Sequence, residues 1–97
     1  MALKLPALYP IINCDNPVQA LNLLSNLIQA SPKLIQLRAK QLSDQALTEL
    51  IEQVSQRLSA HNFDAQKMII INDRVDIAAS CNVAGVHLGQ GDLNPTI

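Results

Sequence analysis

Two spacings of hydrophobic residues alternate along the chain, one typical of strands and the other of helices. Short apolar runs, most of them bounded by proline, serine or asparagine, have the length of strands. Between the runs, apolar residues recur three or four positions apart, as on a helix with one buried face. The predicted strands are 8–12, 34–40, 68–72 and 84–88. The predicted helices are 18–30, a second one after Ser43, 74–80, and the start of a fourth at 92–97.

Local start and stop signals support these helices. Asn16-Pro17 combines a residue that caps helix N-termini with a proline suited to the first helical position, and Asn94-Pro95 repeats the pair. Ser43 is a second expected cap, and Asp44 behind it suits the positive end of the helix dipole. The second helix has the clearest apolar stripe in the chain: Leu47, Leu50, Ile51, Val54 and Leu58.

Regular alternation of strands and helices predicts the α/β class, with parallel strands joined by right-handed crossovers. Sheets of this kind bind ligands beyond the carboxyl ends of their strands. The polar residues at the ends of the predicted strands are therefore the candidates for ligand binding.

The second predicted strand carries a polar face. Gln36, Arg38 and Lys40 alternate with apolar residues, so their side chains share one side of the strand, roughly 7 Å apart. If helices cover the apolar side, the polar side lines the interior and mouth of a barrel, where two cations would bind an anion. The alternative is a solvated face whose charges are paired.

Acidic and amide residues follow the next two strands. Asn72 ends the third strand and Asp73 follows it; the fourth strand contains His87 and is followed by Gln90 and Asp92. Each acid by itself is also typical of a turn or of the first turn of a helix. At one sheet edge, however, Asp73 and Asp92 are candidate Mg²⁺ ligands, because Mg²⁺ is often held by few carboxylates together with phosphate oxygens.

Composition narrows the classes of function. The chain has 97 residues, 48% of them hydrophobic, and a net charge of −1, so a general electrostatic affinity for nucleic acid or an anionic membrane is not expected. Only two aromatic residues, Tyr9 and Phe63, are available to stack on bases. Neither a signal peptide nor a membrane span is apparent, and Cys14 and Cys81 lack metal-site spacing. We therefore expect a cytoplasmic protein with two reduced thiols.

Three of these segments together resemble the thiamine-phosphate synthase family. They are Gln-Leu-Arg-Ala-Lys at 36–40, Ile-Asn-Asp-Arg-Val-Asp at 71–76 and Gly-Val-His-Leu-Gly-Gln-Gly-Asp at 85–92. Leu-Tyr-Pro-Ile-Ile at 8–12 is similar to the first strand of the family. The sequence departs from the family pattern at Gly91, where glutamate is usual, and at Asn13, where threonine is usual.

The resemblance implies a (β/α)₈ TIM barrel, of which residues 1–97 would be the N-terminal half, with about four βα units. The family joins hydroxymethylpyrimidine diphosphate to a thiazole phosphate and releases pyrophosphate. By resemblance, the pyrimidine diphosphate would be bound by Gln36, Arg38, Lys40 and Asn72. Arg38 and Lys40 would also act in catalysis, by stabilising charge on the leaving group. Asp73 and Asp92 would hold Mg²⁺.

The resemblance also implies a limit on what the chain does alone. The family's thiazole phosphate site has no counterpart in these 97 residues, so we expect no turnover by the chain itself. The resemblance assigns no role to His87 or Gln90. Two alternatives stay open, a thiazole tautomerase-like protein of the same fold and a non-catalytic half-barrel. Open barrel edges would also favour self-association of the chain.

Overall fold

A computed structural model describes residues 10–87, in which strands and α-helices alternate. A turn of 3₁₀ helix, Ala65–Lys67, precedes the third strand. The strands are Ile11–Asn13 (β1), Ile35–Arg38 (β2), Ile69–Asn72 (β3) and Gly85–His87 (β4). The α-helices are Pro17–Ile28 (α1), Asp44–Ala60 (α2) and Val75–Cys81 (α3). The predicted start of the first strand at Leu8, and the fourth helix, lie outside the described residues.

The four strands form one parallel sheet in the order β1-β2-β3-β4. Each strand therefore pairs with the next one in sequence, across a connection that contains a helix. The predicted α/β class is confirmed, and this arrangement is consistent with half of a TIM-barrel-like fold.

Both predicted caps of the longer helices are present. The Asn16 side-chain oxygen accepts a hydrogen bond from the Gln19 N–H at 3.2 Å, and the Ser43 hydroxyl accepts one from the Ala46 N–H at 3.1 Å. Each satisfies a backbone N–H that has no partner within the first turn of its helix. Both side chains thereby set where a βα loop ends and a helix begins.

A single apolar layer lies between the helices and one face of the sheet. All five residues of the predicted α2 stripe are buried in it. The sheet contributes alternate strand residues, as expected from side chains that point to opposite faces. These are Ile12, Ile35, Leu37, Ile69 and Ile71. On the opposite face Ile11 is 55% exposed. The helices therefore cover one side, and polar strand residues fall on the other.

The strand bounds differ from the predicted ones at two functionally relevant places. β1 includes Asn13, because Asn13 is in register with Arg38 of β2. β2 ends at Arg38 rather than Lys40, since the chain bends at Lys40. None of the helices within residues 10–87 is both long and apolar enough to cross a membrane.

Candidate functional site

Four polar residues form a row across the sheet where the strands end. Asn13 is in register with Arg38, and Asn72 with His87. Arg38 and Asn72 directly follow Leu37 and Ile71, which are themselves paired, so the row is continuous from β1 to β4. These four residues, Asn13, Arg38, Asn72 and His87, form the edge row. The row lies on the face opposite the helices, at the carboxyl edge.

Gln36 lies one row deeper than Arg38 on the same face of the sheet. It is the buried polar residue of the described chain, with 2% of its surface exposed. Its side-chain oxygen accepts a hydrogen bond from the Asn72 side-chain nitrogen at 2.8 Å. The structure thus brings together two of the predicted ligands of the pyrimidine diphosphate, from neighbouring strands.

The two predicted cations, Arg38 and Lys40, lie in different kinds of structure, one in a strand and the other in a loop. Arg38 is the last residue of β2, and its side chain is exposed beside Asn72 in the edge row. Its backbone carbonyl accepts a hydrogen bond from the Cys14 N–H at 2.7 Å, which fixes the end of the strand. Lys40 lies beyond the strand, in the loop that leads to α2, and is exposed while Ala39 is buried.

Asp73 directly follows β3 and changes the direction of the chain. Its φ of 64° is in the left-handed region, where aspartate and asparagine are the more tolerated residues after glycine. Its N–H donates to the His87 carbonyl at 2.8 Å, which ties the turn to β4. The backbone of Asp73 is thus fixed at the carboxyl edge, and its side chain is exposed there.

Arg74 connects this turn to the preceding βα loop. Its Nη2 donates to the carbonyls of Ala39 at 3.0 Å and Leu42 at 2.6 Å, and its Nη1 contacts the Asp44 carboxylate at 3.2 Å. The two carbonyls flank Lys40 in sequence. Sequence reasoning assigned no role to Arg74. The sequence pattern does not distinguish Arg74, because an arginine at the start of a short helix is common.

A second contact holds the same loop from the other side. The Asp15 carboxylate accepts a hydrogen bond from the Gln41 N–H at 2.8 Å. Asp15 is itself oriented by its own N–H, which donates to the Asn13 side chain at 3.0 Å. The loops after β1, β2 and β3 are therefore linked. Asp15 is a further residue whose role the sequence did not indicate.

Cys14 lies beneath the site and is fully buried. Burial raises the pKa of its thiol to about 12, with a smaller contribution from the nearby Asp15 carboxylate, whereas the hydrogen bond involving the Arg38 backbone lowers it. The thiol is therefore protonated at neutral pH, and a neutral buried thiol is a poor nucleophile. Cys14 packs the core.

Only part of the expected metal site falls within the described chain. Asp73 does, whereas Asp92, together with Gln90, lies outside it. Across residues 10–87, no three His, Cys, Asp or Glu side chains are grouped closely enough to hold a metal ion. A single exposed carboxylate at the strand ends fits Mg²⁺ that is held mainly by phosphate oxygens and water. It does not fit a metal that is caged by protein ligands alone.

Two of the concave regions formed by residues 10–87 lie on different sides of these elements. The larger, about 730 Å³, lies on the helical side between α2 and α3, and extends to residues 63–66 and 80–82, which precede β3 and β4. It therefore lies towards the amino ends of the strands, away from the edge row. The smaller, about 290 Å³, is at the carboxyl edge and is lined by Asp44, Asp73, Arg74 and Asp76 among others.

Comparison with known proteins gives a consistent set of relatives. The family model described as thiamine monophosphate synthase matches residues 8–97. The thiamine-phosphate synthase of Chlorobium phaeobacteroides is 37% identical over 82 residues, which are 84% of this chain and 36% of that protein. That of Campylobacter jejuni is 41% identical over 73 residues, 75% of this chain and 33% of the relative. That of Clostridium tetani is 36% identical over 74 residues, which are 76% of this chain and 34% of the relative.

The matched region therefore spans about a third of the length of these curated relatives. No solved structure matches the chain.

Proposed function

The chain belongs to the thiamine monophosphate synthase family, and from this we propose that its carboxyl edge binds the pyrimidine diphosphate substrate of thiamine-phosphate synthesis. In that reaction hydroxymethylpyrimidine diphosphate condenses with a thiazole phosphate to give thiamine phosphate and pyrophosphate. The reaction is a group transfer in thiamine biosynthesis. The chain would supply the pyrimidine diphosphate half of the site.

The observation that carries this proposal is the edge row together with the residue beneath it. Arg38 lies beside Asn72, and the Asn72 amide is hydrogen-bonded to the buried Gln36. This hydrogen bond fixes the Asn72 amide at the sheet edge, where it would contact the ligand. The exposed cations at 38 and 40 provide the charge that a diphosphate requires.

The residues also suit the chemistry of the leaving group. When the bond between the pyrimidine methylene and the diphosphate oxygen breaks, the electron pair goes to the departing pyrophosphate. Arg38 and Lys40 would stabilise the negative charge that develops there, which is the kind of electrostatic effect that lowers a barrier most. The thiazole nitrogen then forms a bond to the pyrimidine methylene carbon, and no protein nucleophile takes part.

Mg²⁺ would be held by Asp73, and by Asp92 from outside the described residues. When bound, it would neutralise charge on the pyrophosphate oxygens. The left-handed backbone at Asp73 and its hydrogen bond to β4 support this role, because they fix where the carboxylate starts. His87 ends β4 in the same row and would lie near the ligand.

NMR titration of the 97-residue chain, labelled with ¹⁵N, tests the proposal. With Mg²⁺ present, we expect hydroxymethylpyrimidine diphosphate to shift the amide signals of residues 38–41 and 72–74. Thiazole phosphate alone should leave these signals unchanged, because its site has no counterpart here. Both substrates together should give no thiamine phosphate from the chain alone.

Matched variants make the titration specific. Lys40→Ala should weaken the titration, whereas Lys67→Ala, which removes an exposed lysine in the 3₁₀ turn before β3, should not. Absence of binding by the chain and by any longer form of the protein would instead favour a thiazole tautomerase-like function. A stable oligomer that is indifferent to Lys40→Ala would favour a non-catalytic interaction subunit.

A further inference from the structure

We propose that Arg74 is a positioning residue that holds the loop of residues 39–43, and with it Lys40, in its binding position. This inference rests on the proposed function, since it names the residue that orders one cation of the diphosphate site. Arg74 itself would not contact the ligand.

The contacts of Arg74 all converge on one segment. A single guanidinium nitrogen bridges the carbonyls of Ala39 and Leu42, at 3.0 and 2.6 Å. These residues stand immediately before and two positions after Lys40. A cation that binds both sides of a short loop restrains the backbone between them, which is the backbone that presents the Lys40 side chain.

The carbonyl contacts carry more of this restraint than the ion pair does. The Arg74 side chain is 19% exposed, whereas that of Asp44 is 81% exposed. An ion pair with so exposed a carboxylate contributes little. Hydrogen bonds from a charged, mostly buried donor to carbonyls are stronger than neutral ones. Nη2 of the planar guanidinium makes both carbonyl contacts while Nη1 contacts Asp44, and a single ammonium group does not reproduce this arrangement of two nitrogens.

The backbone at the end of β3 explains why Arg74 reaches this loop. Asn72 bonds to Gln36 of β2 through its side chain, and the Asp73 N–H bonds to the His87 carbonyl of β4. The positive φ of Asp73 then redirects the chain, and the Arg74 N–H donates back to the Asn72 carbonyl at 2.9 Å. Three consecutive residues thus connect to three different parts of the carboxyl edge, and Arg74 provides the connection to the Lys40 loop.

The Gln41 amide provides a local reporter. It lies next to Lys40, and its N–H donates to the Asp15 carboxylate, so it is protected from exchange only while the loop keeps its position. If Arg74 holds the loop, its replacement should expose this amide without unfolding the core. An arginine of general structural value would instead lower global stability and leave the relative protection of Gln41 unchanged.

The test compares Arg74→Lys with Arg57→Lys, a matched change of an arginine on the exposed side of α2. Amide hydrogen exchange at Gln41 and the Kd of inorganic pyrophosphate with Mg²⁺ are measured for both. We expect Arg74→Lys to speed exchange at Gln41 and to weaken pyrophosphate binding by about tenfold, the loss of roughly one charge-assisted contact. Arg57→Lys should change neither quantity.

A double-variant cycle separates positioning from a general effect. If Arg74 acts through Lys40, Arg74→Lys should not weaken binding further in a Lys40→Ala background. Should Arg74→Lys fail to fold, Arg74→Gln, which keeps two N–H donors without the charge, takes its place in the same cycle.

Three results would overturn the inference. The first is that Arg74→Lys leaves amide exchange at Gln41 unchanged. The second is that it speeds this exchange but leaves the pyrophosphate affinity unchanged. The third is that it lowers the affinity equally with Lys40 present and in the Lys40→Ala background. Absence of pyrophosphate binding by the unmodified chain would have a different meaning. It would contradict the proposed function and the ligand-binding part of this inference, while exchange at Gln41 would still decide whether Arg74 holds the loop.

Discussion

The side-chain nitrogen of Asn72 donates a hydrogen bond to the side-chain oxygen of Gln36 at 2.8 Å, across the boundary between two neighbouring strands. Gln36 is buried in the sheet face that the helices do not cover, and Asn72 lies one row closer to the carboxyl edge. The bond therefore links the interior of the sheet to the surface where we expect the ligand. We therefore expect this pair to affect both the stability of the sheet and ligand binding.

A double-mutant cycle on this pair should show coupling between the two positions. Gln36→Leu removes the acceptor at similar volume, and Asn72→Ala removes the donor. We expect the free energies of unfolding to depart from additivity by about 1 kcal/mol, the net value of one hydrogen bond. Urea denaturation of the four proteins measures it. Additivity to within about 0.3 kcal/mol would show that the bond contributes nothing in solution.

The buried thiol of Cys14 should make stability fall at high pH. Its folded pKa of about 12 lies above the unfolded value of 9.0, so above pH 9 the unfolded chain loses this proton more readily than the folded one. The free energy of unfolding should then decrease by up to about 1.4 kcal/mol per pH unit from pH 9 upward, and be unaffected below it. Comparison with Cys14→Ala isolates this contribution from those of lysine and tyrosine. A constant difference between the two proteins over pH 7–11 would contradict the assignment.

Replacing Asp73 by asparagine should weaken the metal dependence of binding while keeping the fold. Asparagine tolerates the left-handed backbone that position 73 requires, so the turn is kept while the carboxylate charge is lost. We expect the gain in pyrophosphate affinity on adding Mg²⁺ to fall by about tenfold, since Mg²⁺ sites of this kind depend on one or two carboxylates. Asp76→Asn, two residues from Arg74 in the first turn of α3, is the control and should retain the gain. Equal losses in both variants would point to a general effect of negative charge.

The cap of α2 should contribute measurably to stability. Ser43→Ala removes the hydroxyl that accepts from the Ala46 N–H, which should lower the free energy of unfolding by about 1 kcal/mol. Ser55→Ala, in the middle of the same helix, should leave stability nearly unchanged or raise it slightly, because alanine is the better helix former. Thermal or urea unfolding distinguishes the two, and a larger loss at Ser55 than at Ser43 would contradict the capping geometry.

Much of the fold could be predicted from periodicity, since the relevant forces act over short stretches of chain. The α2 stripe from Leu47 to Leu58 is buried as expected, and the Asn16 and Ser43 caps are present. The parallel order of the strands follows from the alternation of elements alone. Strand ends were less predictable, because pairing across the sheet decides them. Asn13 joins β1 through its register with Arg38.

The contacts that organise the candidate site were not predictable in this way. Arg74 bonds to Ala39, 35 residues earlier in the chain, and Asp15 to the Gln41 backbone, 26 residues later. Neither spacing has a periodic signature, since both depend on how neighbouring loops meet at the sheet edge. The sequence indicated which residues could bind a diphosphate, and the fold adds the hydrogen bonds that link the loops around them.

Calorimetric titration of the 97-residue chain with hydroxymethylpyrimidine diphosphate and Mg²⁺ is the most direct test of the central claim. The edge row should make binding depend on Arg38. We therefore expect Arg38→Ala to weaken affinity by at least about tenfold, as for the loss of one charge-assisted contact, while Arg57→Ala changes it by less than about twofold. Equal affinity in Arg38→Ala and the unmodified chain would contradict the claim that this edge of the sheet is the diphosphate site.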